Sequence, residues 1–593
     1  MNPRERRSRV SRRGKERNVS VPLLTAIAVG ISAAVMAVLT AQAVVARNTC
    51  NNHPLVVNVA VSPDITAAIQ HVGRVFNQQN HQVAGRCVEV QVSQEAPAAV
   101  ASEVDGQAAS AGLPAVDAWI PDSSLWVDVA RTFPLGAQAV QPTGLHVARS
   151  PLMIVMPAAA AAQVPAFNTS SGWSFLLGAI GGQTSPLGIG LNLPDPTQSS
   201  AGLAALIEIS RLLGGGPAAR AELTRFVLSA QPSAQFDDPT SLAAFVSLAR
   251  PPLGSHPVTV TSEQAVLAYD AANPGQPPLA ARYPISPGAA LGTPELDYPY
   301  VVTSTDQSEQ AAAREFASTL AQAYTASLVR YYGFRSSDGV AGTLPPGDGL
   351  AQQPLQLAAP TGPGEAQTDL QAWQKLQIGS RDLVLIDVSP AMNAPSGRPG
   401  VTLMNELTST ANIGLGLFPD SAQLGDWVFA DHLDGSLPYK VLINVGPLPA
   451  EVGLISRRQQ LQQINESVHV VTGTSADINE SILAGYQAMV SSYQPNHNNV
   501  VIVLTAGVDN TSGDLPAAVL ISKLRRLFNP NRPVELIILQ LGSAGNFSLL
   551  QKIAAAGGGA AYGPVTDPNQ VGKIFFEGFS RRICESAGGC ATP

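Results

Sequence analysis

Lysine is almost missing from this chain, at six of 593 residues, and none of the six follows a serine by three positions. That excludes the Ser-x-x-Lys arrangement of an acylating hydrolase. Also absent are the Gly-x-x-x-x-Gly-Lys-Ser/Thr loop that cradles phosphates, a His-Glu-x-x-His helix and a Gly-x-Ser-x-Gly elbow, so nucleotide, zinc-protease and esterase signatures are all lacking. The glycine run at Gly557-Gly558-Gly559 has no strand-then-helix context and reads as a turn. The eight histidines do not cluster and no C-x-x-C occurs, which disfavours a zinc site. Charge is scarce as well, at 13% of residues. The formal net charge is −8, yet residues 1–20 carry eight Arg or Lys against two Glu. Everything after that tail is therefore strongly acidic, and nucleic acid is not expected as a partner.

What is present starts with a membrane signal. The basic tail (residues 1–20) is followed from Val21 to Ala46 by a stretch with no charged residue. Spanning a bilayer takes about 20 apolar residues, and this stretch exceeds the usual signal-peptide core. An uncleaved single-pass anchor over 21–46 is the expectation, with a secretory signal cut after Ala41-Gln42-Ala43 as the alternative. Either exports the remainder, and the positive-inside rule leaves the N-terminus cytoplasmic. Export gives the four cysteines a meaning, because an even count outside the cytoplasm suggests disulfides. Four cysteines allow three connectivities. Pairing near neighbours needs no long-range coincidence, so Cys50 with Cys87 and Cys584 with Cys590 are expected.

A chain of this length exceeds one core, which predicts two large domains. From Leu55 short apolar runs alternate with amphipathic stretches, the pattern of α/β architecture. Leu55 to Val61 reads as a strand, Ser62-Pro63-Asp64 as a turn and cap, and Ile65 to Gln78 as a helix. Further strands are expected at Cys87 to Val92, Ala115 to Ile120 and Pro151 to Met156, and helices at Ser200 to Leu213, Ser262 to Ala271 and Ser308 to Tyr332. Periodicity fades in the Gly- and Pro-rich stretch after Ser336, so 336–377 reads as a linker. Alternation resumes with strands at Asp382 to Ile386, Trp427 to Ala430, Val500 to Leu504 and Val534 to Leu539, a doubly wound order.

The strand ending Leu383-Val384-Leu385-Ile386 continues as Asp387-Val388-Ser389-Pro390-Ala391, and here residues 378–593 resemble the von Willebrand factor A domain family, whose first strand ends in D-x-S-x-S. An Asp and two hydroxyls at the carboxyl edge of a parallel sheet can hold a hard divalent cation. In this chain Ala391 replaces the last hydroxyl, and Leu504-Thr505-Ala506-Gly507 has Ala506 where the family places an Asp. Thr474 is the candidate third ligand and Asp509 a conceivable substitute. The resemblance thus implies a degenerate metal site at Asp387, Ser389 and Thr474, with no cofactor and no divalent cation expected.

Other motifs resemble bacterial proteins that join a solute-binding domain to a von Willebrand A domain: Gly425-Asp426-Trp427-Val428-Phe429-Ala430-Asp431-His432, Ala115-Val116-Asp117-Ala118-Trp119-Ile120-Pro121-Asp122-Ser123-Ser124, Ser262-Glu263-Gln264-Ala265-Val266 and Leu296-Asp297-Tyr298-Pro299-Tyr300. The resemblance implies a two-lobed solute-binding-protein-like domain over 50–335. Hydroxyls of Ser62, Ser123, Ser124 and Ser150, beside strand ends, could donate to a small polar solute or oxyanion near helix N-termini. Helix capping alone also accounts for serine at such places. Tyr298 and Tyr300 read as core or hinge aromatics. The resulting expectation is a non-enzymatic, membrane-anchored extracytoplasmic binding protein that captures a solute or surface ligand and contacts a protein partner through its C-terminal domain. The alternatives are a structural envelope scaffold whose cleft is filled by apolar side chains, and an exported hydrolase.

Overall fold

The computed structural model describes residues 54–104, 115–169, 172–178, 188–233, 237–248, 256–276, 278–284, 292–344, 350–396, 398–471, 475–507, 515–542 and 545–565. The expected anchor, Thr474, Asp509, Cys50, Cys584 and Cys590 fall outside them. Among the described residues no helix is long and apolar enough to cross a membrane, and Cys87 carries no free thiol.

Two sheets form the first part. The valine-rich β1 (Leu55–Val61) runs parallel to Arg86–Gln94 on one side and to β2 (Ala118–Ile120) on the other, while β6 (Pro299–Val302) lies antiparallel to β2 and to Gln141–His146. In the second sheet β3 (Ser150–Pro157) is antiparallel to β5 (His256–Ser262), which is parallel to β4 (Ile189–Pro194). Glu295–Leu296 adds antiparallel to β3. The chain therefore builds most of one lobe, crosses at residues 147–149, builds the second lobe, and crosses back at residues 297–298. Two short crossovers between two α/β lobes make a hinge, with the carboxyl ends of parallel strands facing a shared cleft.

Helices α1 (Thr66–Gln78) and α2 (Ser124–Arg131) follow β1 and β2, and α3 (Ser200–Leu213) follows β4. The start of α3 is fixed by Ser199, whose hydroxyl accepts from the Gly202 amide at 3.3 Å. Its end is fixed by Gly214 at φ +75°, where a side chain would be strained. A Cβ at Gly202 would stand 2.0 Å from the Pro194 carbonyl, so the first turn of α3 lies directly against the end of β4. Helix α4 (Glu263–Ala272) follows β5.

The stretch expected as one helix over Ser308 to Tyr332 is two, Gln307–Leu320 and Ala323–Tyr331. Gln322 turns extended between them, and the Thr325 hydroxyl caps the first helix by donating to the Thr319 carbonyl at 2.9 Å. Strands β4, β5 and β6 were not expected.

The stretch read as a linker, 336–377, is packed over much of its length. Arg335 is buried with Glu263 in a two-pronged ion pair, Nε to Oε1 at 2.9 Å and Nη2 to Oε2 at 2.8 Å, and also donates to the carbonyls of Gly339, Ala351 and Gln353. Helix α5 (Glu365–Gln377) buries Trp373 and Leu376 in the first core. Arg211 on α3 grips Glu365 with both prongs, at 2.7 and 2.9 Å.

The C-terminal sheet runs in the order Leu437–Pro447, β8 (Gln423–Asp434), β7 (Gly379–Asp387), β9 (His497–Thr505), β10 (Val534–Leu541) and Ala560–Val565. All neighbours are parallel except the antiparallel edge pair of β8 with Leu437–Pro447. In chain order this is 3-2-1-4-5-6, a doubly wound sheet whose order reverses between β7 and β9. Separate apolar clusters cover its two faces, one including Leu385, Val503 and Ile538, the other Ile386, Leu504 and Leu539. Residues alternating along the same strands supply both, as the two-residue period of a strand requires.

Candidate functional site

Three carboxyl groups converge where the lobes meet. Asp64 follows β1 and Asp122 follows β2, strands paired through Val61 and Ile120, so both side chains arise at neighbouring carboxyl ends. Asp237 approaches from the second lobe, just before the helix Pro239–Ser247. With Ser62, Gln198, Ser199 and Ser262 they line a cavity of about 30 Å³. That is room for one or two waters, so the lobes are nearly closed on each other.

Each carboxyl is tied to the scaffold. The Tyr298 hydroxyl, carried by the returning crossover, donates to Asp64 Oδ2, while the Ile65 amide donates to Oδ1 at 3.0 Å. Tyr298 is fully buried, packs edge-on against Phe334 at 5.2 Å, and holds φ +40°, unusual for a bulky residue. Asp122 accepts from Ser200 Oγ at 2.6 Å, and Ser200 accepts from Trp126 Nε1 at 2.7 Å. A carboxyl from the first lobe thereby occupies the first turn of α3, the place where an anionic ligand would otherwise dock.

Loss of surrounding water and the facing Asp64 push Asp122 up to about 8. Asp237 is exposed by surface area but crowded by neighbouring atoms, and that crowding plus Asp64 raises it to about 6. Burial raises Asp64 too, against the hydrogen bond from Tyr298. No Arg or Lys lines this cavity among the described residues. The expectation of an oxyanion therefore has no cation to rest on here.

The four serines expected to bind ligand separate. Ser62 lines the cleft, buried, and its carbonyl accepts from Thr66 Oγ1 at 2.8 Å. Ser123 caps α2, accepting from the Leu125 amide at 3.2 Å. Ser124 donates to the Asp297 carboxylate through its amide at 2.7 Å and its hydroxyl at 2.5 Å. Ser150 is buried and accepts from the Gln264 amide at 3.0 Å, fixing the first turn of α4. Ser62 also hydrogen-bonds Asp64 through its side chain, so all four are engaged by the scaffold. The carboxyls that reasoning from serine missed stood beside them in Ser62-Pro63-Asp64 and Pro121-Asp122-Ser123, and their common position just after paired strands was the available signal.

In the C-terminal sheet Asp387 ends β7 at the switch point, fully buried. Its Oδ1 accepts from the Ser389 amide at 2.9 Å, and its Oδ2 from Thr505 Oγ1 at 2.8 Å and the Ala506 amide at 3.3 Å. Both oxygens are engaged, by the loop after β7 and by the end of β9 and the residue that follows it, and burial raises this carboxyl. Ser389 is buried beside it. Among the described residues no group of three or more His, Cys, Asp or Glu is placed to hold a metal ion.

Comparison with known proteins bears on the two-lobed part. Over 530 aligned residues the chain is 24% identical to "Uncharacterized protein Rv1836c" of Mycobacterium tuberculosis strain H37Rv, the alignment covering 85% of this chain and 73% of that protein. Among solved structures, the sulfate-binding protein SubI from Mycobacterium tuberculosis H37Rv aligns at 17% identity and TM-score 0.33, over 48% of this chain and 88% of that one. Iron-bound HitA from Pseudomonas aeruginosa aligns at 13% identity and TM-score 0.39, over 55% and 100%. A periplasmic thiamin binding protein aligns at 13% and 0.37, over 55% and 97%. Residues 57–335 match the model of the family described as bacterial extracellular solute-binding protein.

Proposed function

We propose that the chain is an extracytoplasmic solute-capture protein, anchored in the membrane by residues 21–46, whose C-terminal domain is of the von Willebrand A type and contacts a protein partner. The observation that carries the capture reading is the lining of the interlobe cleft. A scaffold with a dead cleft would fill it with apolar side chains, whereas Asp64, Asp122, Asp237, Gln198 and Ser199 line this one. Polar groups that converge on a cleft are the usual means of orienting a bound ligand. With acidic groups and, among the described residues, no lining cation, the cleft favours a solute that donates hydrogen bonds or carries positive charge. Admission requires opening about the two crossovers.

The C-terminal assignment is supported by the 3-2-1-4-5-6 sheet and by Asp387 and Thr505 meeting at its switch point. Membrane attachment and the pairing of Cys50 with Cys87 rest on the sequence pattern alone. Thermal-shift screening of the full-length chain against small cationic and neutral solutes tests the capture reading, since a specific ligand raises the midpoint by mass action. A stabilising solute whose effect is lost in Asp64→Asn/Asp122→Asn is expected. A panel with no stabilising member, or one whose effect survives the double replacement, favours the scaffold.

A further inference from the structure

Behind the hinge lies a second, larger cavity, of about 400 Å³, bounded by both crossovers, the start of α2, one face of α3 and the Leu357–Thr361 segment. Leu296 faces the interlobe cleft, while its neighbours Glu295 and Asp297 face this cavity, as alternation along extended backbone requires. The size is within the range of small-molecule sites.

Two polar atoms in its wall are buried without a partner among the described residues, Glu208 Oε2 and Thr293 Oγ1. Glu208 is 2% exposed, and its other oxygen accepts from Arg211 Nη1 at 2.8 Å. Thr293 is fully buried, with its backbone amide bound to the Gln356 carbonyl at 2.9 Å and its carbonyl to the Ala358 amide at 3.0 Å. Its hydroxyl is thus held in the wall by main-chain bonds on both sides. Leaving such atoms unmet is unfavourable, and a folded chain that keeps two of them on one cavity points to a ligand that meets them.

Charge narrows the ligand. Arg149 is paired with Glu295, and His146 lies 3.2 Å from Asp297. Arg211 serves both Glu208 and Glu365, so with Asp128 the wall holds more carboxyls than cations. We infer that this cavity binds a small organic cation, an alkylammonium or guanidinium compound that donates to Glu208 Oε2 and, from its other polar end, to Thr293 Oγ1. The site is independent of the interlobe cleft and shares no lining residue with it.

Calorimetric titration of the full-length chain with putrescine and with agmatine tests this, with glutarate as an anion of similar length. Saturable binding of at least one cation, and none of glutarate, is expected. Glu208→Gln and Thr293→Val should each weaken it by about tenfold, the effect of one lost hydrogen bond to a charged or buried partner, while Asp122→Asn leaves it unchanged. Thr293→Val should hold or raise the unfolding midpoint of the unliganded chain, because it deletes an unmet hydroxyl at constant shape. It therefore remains informative should Glu208→Gln fail to fold. Failure of both cations to bind at millimolar concentration overturns the inference. So does binding insensitive to Thr293→Val. Binding abolished by Asp122→Asn but not by Thr293→Val overturns it while leaving the interlobe cleft as the cation site.

Discussion

Replacing Arg335 with methionine removes a guanidinium that is 2% exposed and holds together segments far apart in sequence. Its fork binds both oxygens of Glu263, and its remaining donors reach Gly339, Ala351 and Gln353. Glu263 is 1% exposed, and the Tyr283 hydroxyl donates to the same Oε2. Without Arg335 the carboxylate stays buried with, among the described residues, Tyr283 alone as a neighbouring side-chain donor. Breaking a buried pair in this way costs about 3–5 kcal/mol. For a unit of this size that lowers the unfolding midpoint by roughly 6–20 °C. The double replacement Glu263→Met/Arg335→Met deletes both charges with similar volume, and should recover at least half of the loss. Arg335→Lys should fall between wild type and Arg335→Met, because an ammonium cannot make the two-pronged contact. Denaturant unfolding gives the free energies, and limited proteolysis between Arg335 and α5 reports release of the segment that the guanidinium holds. A single replacement costing under about 1 kcal/mol, or a double as damaging as the two singles added, would refute the reasoning.

Stability should fall as pH rises from about 4 to about 8, because Asp122, raised to about 8, keeps a proton in the folded chain that the unfolded chain has released. Asp122→Asn should flatten that part of the slope, whose limit is about 1.4 kcal/mol per pH unit; denaturant midpoints at pH 5 and 8.5 measure it, and an unchanged slope counts against this carboxyl. Mass mapping of the unreduced protein should link Cys50 with Cys87 and Cys584 with Cys590, whereas a link between the two pairs would exclude this connectivity. N-terminal sequencing of membrane-bound protein should read from the Arg-rich tail, and a start near Val44 would mean a cleaved signal. Titration with Mg²⁺ should show no micromolar binding at Asp387, whose oxygens are already engaged by Ser389, Thr505 and Ala506; Ala391→Ser/Ala506→Asp is the variant in which binding should emerge.

The strands and helices legible in the sequence are those whose own pattern decides them. β1 is a run of valines, and α3 has a serine cap, an apolar body and a terminal glycine, so its expected bounds, Ser200 to Leu213, are those observed. β4 and β5 were missed for the opposite reason. Ile189–Pro194 carries Gly, Asn and Pro, and His256–Ser262 alternates apolar residues with hydroxyls that burial then hides. These segments become strands through their partners, and no local signal encodes a partner. The stretch from 336 to 377 misled in a similar way. Its Gly and Pro content suggests a tether, but Arg335 and Arg211 supply ion pairs from elsewhere in the chain, and α5 buries Trp373.

The same distinction governs the sites. A serine after a strand is locally ambiguous, because capping and ligand binding ask for the same hydroxyl. Only the fold shows that Ser123 and Ser150 cap helices and that Ser124 holds Asp297. The carboxyls of Asp64 and Asp122 gain their character from each other. Each is an ordinary turn residue in sequence, and the parallel pairing of β1 with β2 is what sets them side by side at the lobe boundary. Glu208 is the extreme case: on helical periodicity it reads as a polar residue of α3, and it becomes a candidate ligand only because both crossovers and the Leu357–Thr361 segment bound the cavity that it lines. Crossovers and returning segments belong to no repeating pattern, so the cavities they bound are invisible to periodicity. What the sequence does carry is which residues can bear the burial once the chain has placed them there.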